Sequence, residues 1–555
     1  MTKTALYFTH SFMKIFPEDR AFPQAGELCC FENGSVSFQL AAVNGGLPLE
    51  NCRLEVRCGL SLEVRRVGFV PAEFSDHPEG DDYVIGKGLH LFPDPLFPFG
   101  LSSFQLKGNC ANVFFVTVKE EKKPVGSYPV WAQLFDKEGN LLGEASGTIR
   151  VTRGMLPELP IPVTDWMHYD CIANYYHEQP FSPRFFAFCE SFWHMAAEHG
   201  INTVYVPLFT PPLDTKVGGE RTTVQLVGVR KEGSFYSFDF ELLAEFLERA
   251  DRAGMKYFEL SHLFTQWGAQ AAPKIVAKSE GTIKRIFGWD TPADGQEYTA
   301  FLEAFLPALG AFLKEKGYTE RCFLHISDEP SEYWLKDYGK RRALVKRLLP
   351  EVTHIDAISD SSIAQQGLVD IPVASTDHAE AFLGKGNPFW AYYCWPQCGG
   401  YLSNRMMNMP PERTRILGMQ LYESGAGGFL HWGYNFYNTA LSLRSVDPFF
   451  ETDAGGCFPA GDAFSVYPGK EGALSSLRLE YLKEGWEDYR ALFLLEQLTG
   501  REKVLSLLHG EGVHGFTCYP HGSEAFLRLS RAIEGAVERL SLIHISEPTR
   551  LQLIS

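Results

Sequence analysis

Over roughly the first 150 residues, apolar and polar positions alternate in short runs: Ser35–Ala42, Leu54–Cys58, Leu62–Val70, Asn112–Val118 and Tyr128–Phe135. A period of two turns alternate side chains to one buried face, and the Gly, Asn, Asp and Pro clusters between the runs supply turns. Short strands spaced this way predict a β-sandwich. The segment Gly154–Val163 then carries three prolines. Each fixes φ and removes an amide donor, so a stiff extended linker is expected there.

Beyond the linker the rhythm changes to apolar strand, loop and amphipathic helix, repeated, which predicts a parallel sheet. Eight candidate strands follow: Asp165–Asp170, Thr203–Leu208, Tyr257–Leu263, Cys322–Ser327, Thr353–Ser359, Val373–Thr376, Phe389–Trp395 and Gly428–Tyr434. Helical periodicity covers Pro183–His199, Phe238–Ala253, Gln296–Lys316, Ser331–Leu349, Pro411–Ser424 and Ser475–Leu498. The expected architecture is multidomain α/β, an N-terminal β-sandwich followed by a (β/α)8 TIM-type barrel with C-terminal helices. The expected division is a sandwich over 1–155, a catalytic barrel over 156–500 with long insertions after strands two and three, and a helical segment over 501–539. Residues 540–555 fit neither the preceding helix nor a domain of their own. Their start resembles a translated sequencing-library adapter, so a non-native tail on a truncated natural C-terminus is expected.

Composition narrows the function classes. Of 555 residues, 45% are hydrophobic and 21% charged, as in ordinary globular proteins. The balance of 51 basic against 68 acidic residues gives a net charge of −17, which disfavours nucleic acid and anionic membranes as partners. The 12 cysteines form no recurring CxxC pair, so reduced thiols are expected and no metal site is predicted. The N-terminus lacks the apolar run of a signal peptide, and no stretch of about 20 apolar residues could span a bilayer. These readings point to the cytoplasm. No Walker loop, HExxH or dinucleotide fingerprint is present, so no cofactor is expected. The aromatic share of 14% suits either a rich core or ring faces that stack on a ligand.

In a barrel of this kind the active site lies at the C-terminal ends of the strands. Strand one runs into His168 and Asp170, strand two into Asp214, and strand four into His325, Asp328 and Glu329. Strand five ends at Asp360, strand six at Asp377, strand seven at Tyr393 and Trp395, and strand eight at Trp432, Tyr434 and Asn435. Carboxylates, imidazoles and indoles thus converge on one mouth, the composition of a carbohydrate pocket. The adjacent pair Asp328-Glu329 is the sharpest element. Glycoside hydrolysis needs one acid to protonate the leaving oxygen and a second group to stabilise the positive charge at the anomeric carbon. Neighbouring acids also raise one another's pKa, which suits an acid working near neutrality. The alternative is that the pair caps the helix expected from Ser331. His325 reads as a core histidine, and Lys340–Arg347 as a solvated helix face.

The stretch Phe323-Leu-His-Ile-Ser-Asp-Glu-Pro330 resembles the catalytic segment of glycoside hydrolase family 123 and of the related domain-of-unknown-function 4091 family. Trp166–Asn174, Phe209–Gly219, Gly428–Tyr437, Gly461–Gly469 and Ser476–Tyr489 are similar to the same group. The resemblance implies a retaining, exo-acting β-N-acetylgalactosaminidase that uses substrate-assisted catalysis, with the 2-acetamido oxygen attacking the anomeric carbon. It implies Glu329 as general acid/base and Asp328 as the residue that orients the acetamido group. His168, Asp170, Asp214, Tyr393, Trp395, Trp432, Tyr434 and Asn435 are the expected substrate contacts, on an oligosaccharide or glycoconjugate. Two alternatives stay open: a β-glycosidase for another sugar with Asp360 or Asp377 as nucleophile, or a carbohydrate-binding protein without catalysis.

Overall fold

The computed structural model describes residues 4–74, 80–100, 103–266, 268–329 and 332–546. The chain folds into two compact units, one of residues 1–159, 403–423 and 474–555 and the other of residues 160–402 and 424–473.

The first unit is a sandwich of two five-stranded sheets. One has the order Thr4–His10, Ser37–Asn44, Cys110–Val118, Leu62–Phe74, Gly88–Pro98. The other runs Glu27–Phe31, Leu141–Thr152, Gly126–Phe135, Leu49–Arg57, Phe104–Leu106. Their inner faces meet in a core that includes Phe8, Phe38, Leu40, Leu54, Phe114, Val130, Leu134 and Ile149. Strand Ser37–Asn44 is buried on both faces, and its Gln39 amide donates to the carbonyls of His10, Ser11 and Met13. Helices Leu477–Thr499, Arg501–Gly510 and Ser523–Ser546 belong to this unit, as do Ser403–Glu423. Arg415, half-buried, donates to Asp488 at 2.7 and 2.8 Å and to Glu484 at 2.8 Å, and the buried Arg478 to Asp94 at 2.8 Å, so both arginines are paired with carboxylates. The last helix continues through Leu540 to Ser546, where the non-native tail was expected to begin, and residues 547–555 lie outside the described residues.

The second unit is a closed parallel (β/α)8 barrel. Its strands are β1 (Val163–Asp165), β2 (Thr203–Val206), β3 (Tyr257–Leu260), β4 (Cys322–Leu324), β5 (Thr353–Ala357), β6 (Ile371–Ser375), β7 (Trp390–Tyr392) and β8 (Phe429–His431). Closure comes from β8 pairing with β1 through Val163–Phe429, Thr164–Leu430 and Asp165–His431. Trp166, Tyr205, Ile355, Val373, Trp390 and Leu430 pack together as its core. Gly428 is required beside β7, since a Cβ there would lie 2.4 Å from the Trp390 ring. The two insertions, after β2 and β3, combine into one four-stranded sheet, Phe235–Asp239, Gly228–Glu232, Ile275–Ser279, Thr282–Phe287. Helix Pro183–Glu198 starts with Pro183 in its first turn and Ser182 as cap, whose Oγ accepts from Phe185 N–H.

One expected strand moves. Asp165–Asp170 was read as β1, but the ladder ends with Trp166 N–H bonded to the His431 carbonyl, and Tyr169–Tyr176 is helical. The mixed run Asp165–Asp170 carries no period that marks where the strand stops. Among the described residues no helix is long and apolar enough to cross a membrane.

Candidate active site

After Leu324 the chain leaves β4 and residues 325–329 form an irregular segment at the strand ends. Asp356 of β5 holds it, accepting from Ile326 N–H at 3.1 and 3.2 Å and from His325 Nδ1 at 3.1 Å. Ser327 Oγ donates to the Thr265 carbonyl at 2.9 Å. The segment ends on Asp328, half-buried, and Glu329, exposed. Glu329 has φ +43°, a left-handed conformation that costs a non-glycine residue about 1–2 kcal/mol. Strain of this kind gathers where a side chain must be presented in a particular direction. The α-helix that follows begins only at Leu335, with Trp334 in the cap position, so the two acids stand outside its first turn. Neither acid occupies the cap position of that α-helix.

Asp328 and Glu329 open on a cleft of about 380 Å³. Tyr392, at the end of β7, donates its hydroxyl to Glu329 Oε1 at 3.0 Å. Trp166, Trp395, Trp432 and Phe458 supply an aromatic wall, with Phe458 edge-on to Trp432 at 5.4 Å and stacked on Trp395 at 6.5 Å. Trp432 Nε1 donates to Asp462 Oδ2 at 3.0 Å, which fixes the indole. Asp214 closes another side. Its carboxylate accepts from Leu441 N–H at 3.0 Å, and its own N–H donates to Gln266 Oε1 at 2.6 Å. Burial, then the neighbouring Glu329 charge, push the Asp328 carboxyl well above the usual carboxylate range, with His325 pulling the other way. Burial also raises Asp214, against the pull of the Leu441 amide.

The remaining expected contacts are distributed differently. His168 and Asp170 are buried and face Arg221, which the sequence reading did not single out. Arg221 donates to both Asp170 oxygens at 2.8 and 2.6 Å and to His168 Nδ1 at 3.1 Å. Since guanidinium only donates, His168 carries its proton on Nε2, bonded to the Trp432 carbonyl at 2.9 Å. Burial and the Arg221 cation push His168 down to about 4. Burial alone would raise Asp170, but Arg221 holds it below its ordinary value. Asn435 is buried and clamps the His168 backbone, accepting its N–H at 2.8 Å and donating to its carbonyl at 3.2 Å. Tyr434, also buried, donates to the Phe192 carbonyl at 3.0 Å. Tyr393 is buried against Phe429 and His431 while its neighbour Tyr392 reaches the cleft. His168, Asp170, Tyr393, Tyr434 and Asn435 are therefore not among the cleft-lining residues, whereas Asp328, Glu329, Asp214, Trp395 and Trp432 are. Asp360 caps helix Ser361–Gln365 by accepting from Ser362 N–H at 2.7 Å, and Asp377 bonds His378 and Gln397; neither lines the cleft.

Behind the cleft floor lies a second group of buried polar side chains. Glu259 accepts from Trp166 Nε1 at 2.7 Å, from His325 Nε2 at 2.5 Å and from Thr164 Oγ1. Asp356 also accepts from the Tyr338 hydroxyl at 2.5 Å. The His262 ring stacks on His325 with centroids 4.2 Å apart, and its Nδ1 meets the Tyr205 hydroxyl at 2.9 Å. His262, His325 and Asp356 bring possible metal-ligand atoms within 4.8 Å of one another. Both His325 nitrogens already face carboxylates, however, and the two imidazoles are face to face, so the trio reads as a hydrogen-bonded ion network.

The sequence model for the catalytic domain of glycoside hydrolase 123 matches residues 166–495, more than half of the chain. The chain belongs to glycoside hydrolase family 123. A family 123 glycoside hydrolase from Clostridium perfringens, whose structural analysis concerned glycolipid glycan hydrolysis, has the same fold. It aligns with a TM-score of 0.74 at 14% identity over 98% of this chain and 100% of that one. A family 2 glycosyl hydrolase from Bacteroides cellulosilyticus aligns at a TM-score of 0.28 and 10% identity, over 82% of this chain and 49% of that one. A family 5 mannosidase from Rhizomucor miehei aligns at 0.33 and 14%, over 64% and 96%. No curated protein sequence matches the chain. As a family 123 member the protein is a glycoside hydrolase, and its substrate is a carbohydrate.

Proposed function

We propose that the protein removes terminal β-linked N-acetylhexosamine, N-acetylgalactosamine in the first place, by substrate-assisted catalysis with retention. The observation that carries this reading is the side-by-side presentation of Asp328 and Glu329 on one cleft with an aromatic wall. Glu329, exposed and bonded to Tyr392, protonates the glycosidic oxygen as the bond to the anomeric carbon breaks. The acetamido oxygen of the substrate attacks that carbon, and Asp328 as a carboxylate accepts the acetamido N–H and balances the positive charge of the oxazolinium intermediate. Glu329, now a base, takes a proton from the water that opens the ring and restores the configuration. Trp432 and Trp395 offer faces for the C–H surface of the sugar. No cofactor enters these steps. The glycolipid glycans of the Clostridium perfringens relative make a glycolipid carrying this terminal sugar a natural substrate to try.

The test is a panel of aryl β-glycosides assayed with wild type, Glu329→Gln, Asp328→Asn and Asp214→Asn. Wild type is expected to cleave the N-acetylgalactosaminide best, and each of the first two variants to lose on the order of 10²–10⁴-fold in kcat/KM. Cleavage confined to glycosides without an acetamido group would overturn the reading. In that case Asp214, the third carboxylate on the cleft, is the first candidate for a protein nucleophile, and Asp214→Asn would be the variant that abolishes turnover.

A further inference from the structure

The reaction above uses Asp328 and Glu329 and leaves the neighbouring ion network without a role. Its protonation follows from geometry. Glu259 accepts an indole N–H and Asp356 accepts a backbone N–H, groups that can only donate, and each carboxyl accepts a hydroxyl besides. Each carboxyl thus meets donors at both oxygens, the surroundings that favour a carboxylate, although burial raises Asp356. An imidazole held between two accepting carboxylates carries a proton on each nitrogen, so His325, 1% exposed, is a buried cation. It is shielded from water, where a charge acts over a longer range than at the surface. The hydrogen bonds of Asp356 and Glu259 support the same state, raising His325 to about 9 although burial alone would lower it.

The other groups facing Asp328 are Glu329 on its own segment, Asp356 from β5, Asp214 from the loop after β2, Tyr205 of β2 and Cys394 after β7. The carboxylates among them repel a charge on Asp328, and burial keeps Tyr205 and Cys394 neutral. His262, stacked on His325, is held neutral by burial and by the adjacent imidazolium. His325 is a cation acting on Asp328, and Arg221 reaches the same cluster through Asp214 and Tyr205. We propose that His325 is a positioning residue of the hydrolysis, a buried imidazolium fastened between Glu259 and Asp356 that draws the Asp328 carboxyl back toward its ionised form against burial and the surrounding carboxylates. The same network orients the cleft wall, because Glu259 also holds the Trp166 indole. This inference rests on the reading in which Asp328 acts as a carboxylate.

The sign of the effect is fixed. Asp328 works ionised, and removal of a nearby cation raises its pKa, so activity is lost first at low pH. The experiment measures kcat/KM from pH 4 to 9 on the aryl N-acetylgalactosaminide for wild type, His325→Gln and Asp356→Asn, with melting temperatures as controls. His325→Gln is expected to move the acid limb up by about one pH unit, so that activity falls about tenfold more at pH 5 than at pH 8, and Asp356→Asn, which removes a repelling carboxylate together with its hold on His325, to move it less. A uniform loss at every pH, with an unmoved limb, would mean that His325 only supports the structure and would overturn the proposal. Asp328→Asn separates the two readings. If it leaves activity intact, the assignment of Asp328 is wrong; if it abolishes activity while His325→Gln keeps the wild-type limb, only the present inference fails. Should the variants not fold, nitrogen chemical shifts of labelled His325 in wild type decide. Protons on both nitrogens at pH 8 are expected, and a titration near the ordinary histidine value of about 6.5 would overturn the proposal.

Discussion

Tyr392 and Tyr393 show how much hangs on one position. The run Phe389–Trp395 identifies strand seven, yet only the parity of the strand decides which tyrosine meets the cleft, and a shift by one residue exchanges the faces. Tyr393 is buried against Phe429 and His431, while Tyr392 donates to Glu329. The bond is exposed, so we expect Tyr392→Phe to cost about 1 kcal/mol, a roughly fivefold drop in kcat/KM on the N-acetylgalactosaminide, with little change in KM. Steady-state kinetics at neutral pH check this, and an unchanged kcat/KM would show that the hydroxyl does not position Glu329. His168 and Asp170 make the same point from the other side. As residue types they suit a sugar site, but Arg221, over 50 residues downstream, claims both.

Among the elements, those with a strong period are legible and those without one are not. Helix Gln296–Lys316 has the bounds expected from its pattern, and Pro183–Glu198 begins at its proline. Phe238, expected to open a helix, instead belongs to strand Phe235–Asp239, because the inserted hairpin borrows the apolar residue for its own pairing. Contact between helices is set by residues with no side chain at all. A Cβ on Gly418 of helix Leu417–Ser424 would sit 1.8 Å from the Gly485 carbonyl oxygen of helix Leu477–Thr499. Nothing short of moving a backbone relieves that clash, so Gly418→Ala is expected to destabilise the first unit by about 3 kcal/mol. Thermal unfolding followed by circular dichroism would detect it, and a wild-type melting temperature would refute the close approach.

For the molecule as a whole, the net charge of −17 says little about function. The thiols carry more information. The adjacent Cys29 and Cys30, for instance, are free thiols. Stability is therefore expected to be indifferent to reductant, and a melting temperature that drops in dithiothreitol would reveal a cross-link. The high aromatic share divides between two uses. Trp395, Trp432 and Phe458 face the cleft, whereas rings such as Phe8, Phe38 and Phe114 fill the sandwich core.

From the sequence alone come the two architectures, the eight barrel strands, the family and the acidic pair at the end of strand four. These are local properties, since period, turn residues and a short motif are written in neighbouring positions. Contacts between distant residues needed the tertiary structure. Helices from residue 474 onward group with the sandwich and not with the barrel that precedes them. Arg221 draws His168 and Asp170 away from the cleft, and Glu259, His325 and Asp356, on three different strands or their ends, meet as one ion network. Burial and charge pairing depend on which groups the fold brings within a few ångströms, and that distance is not written in the order of the residues.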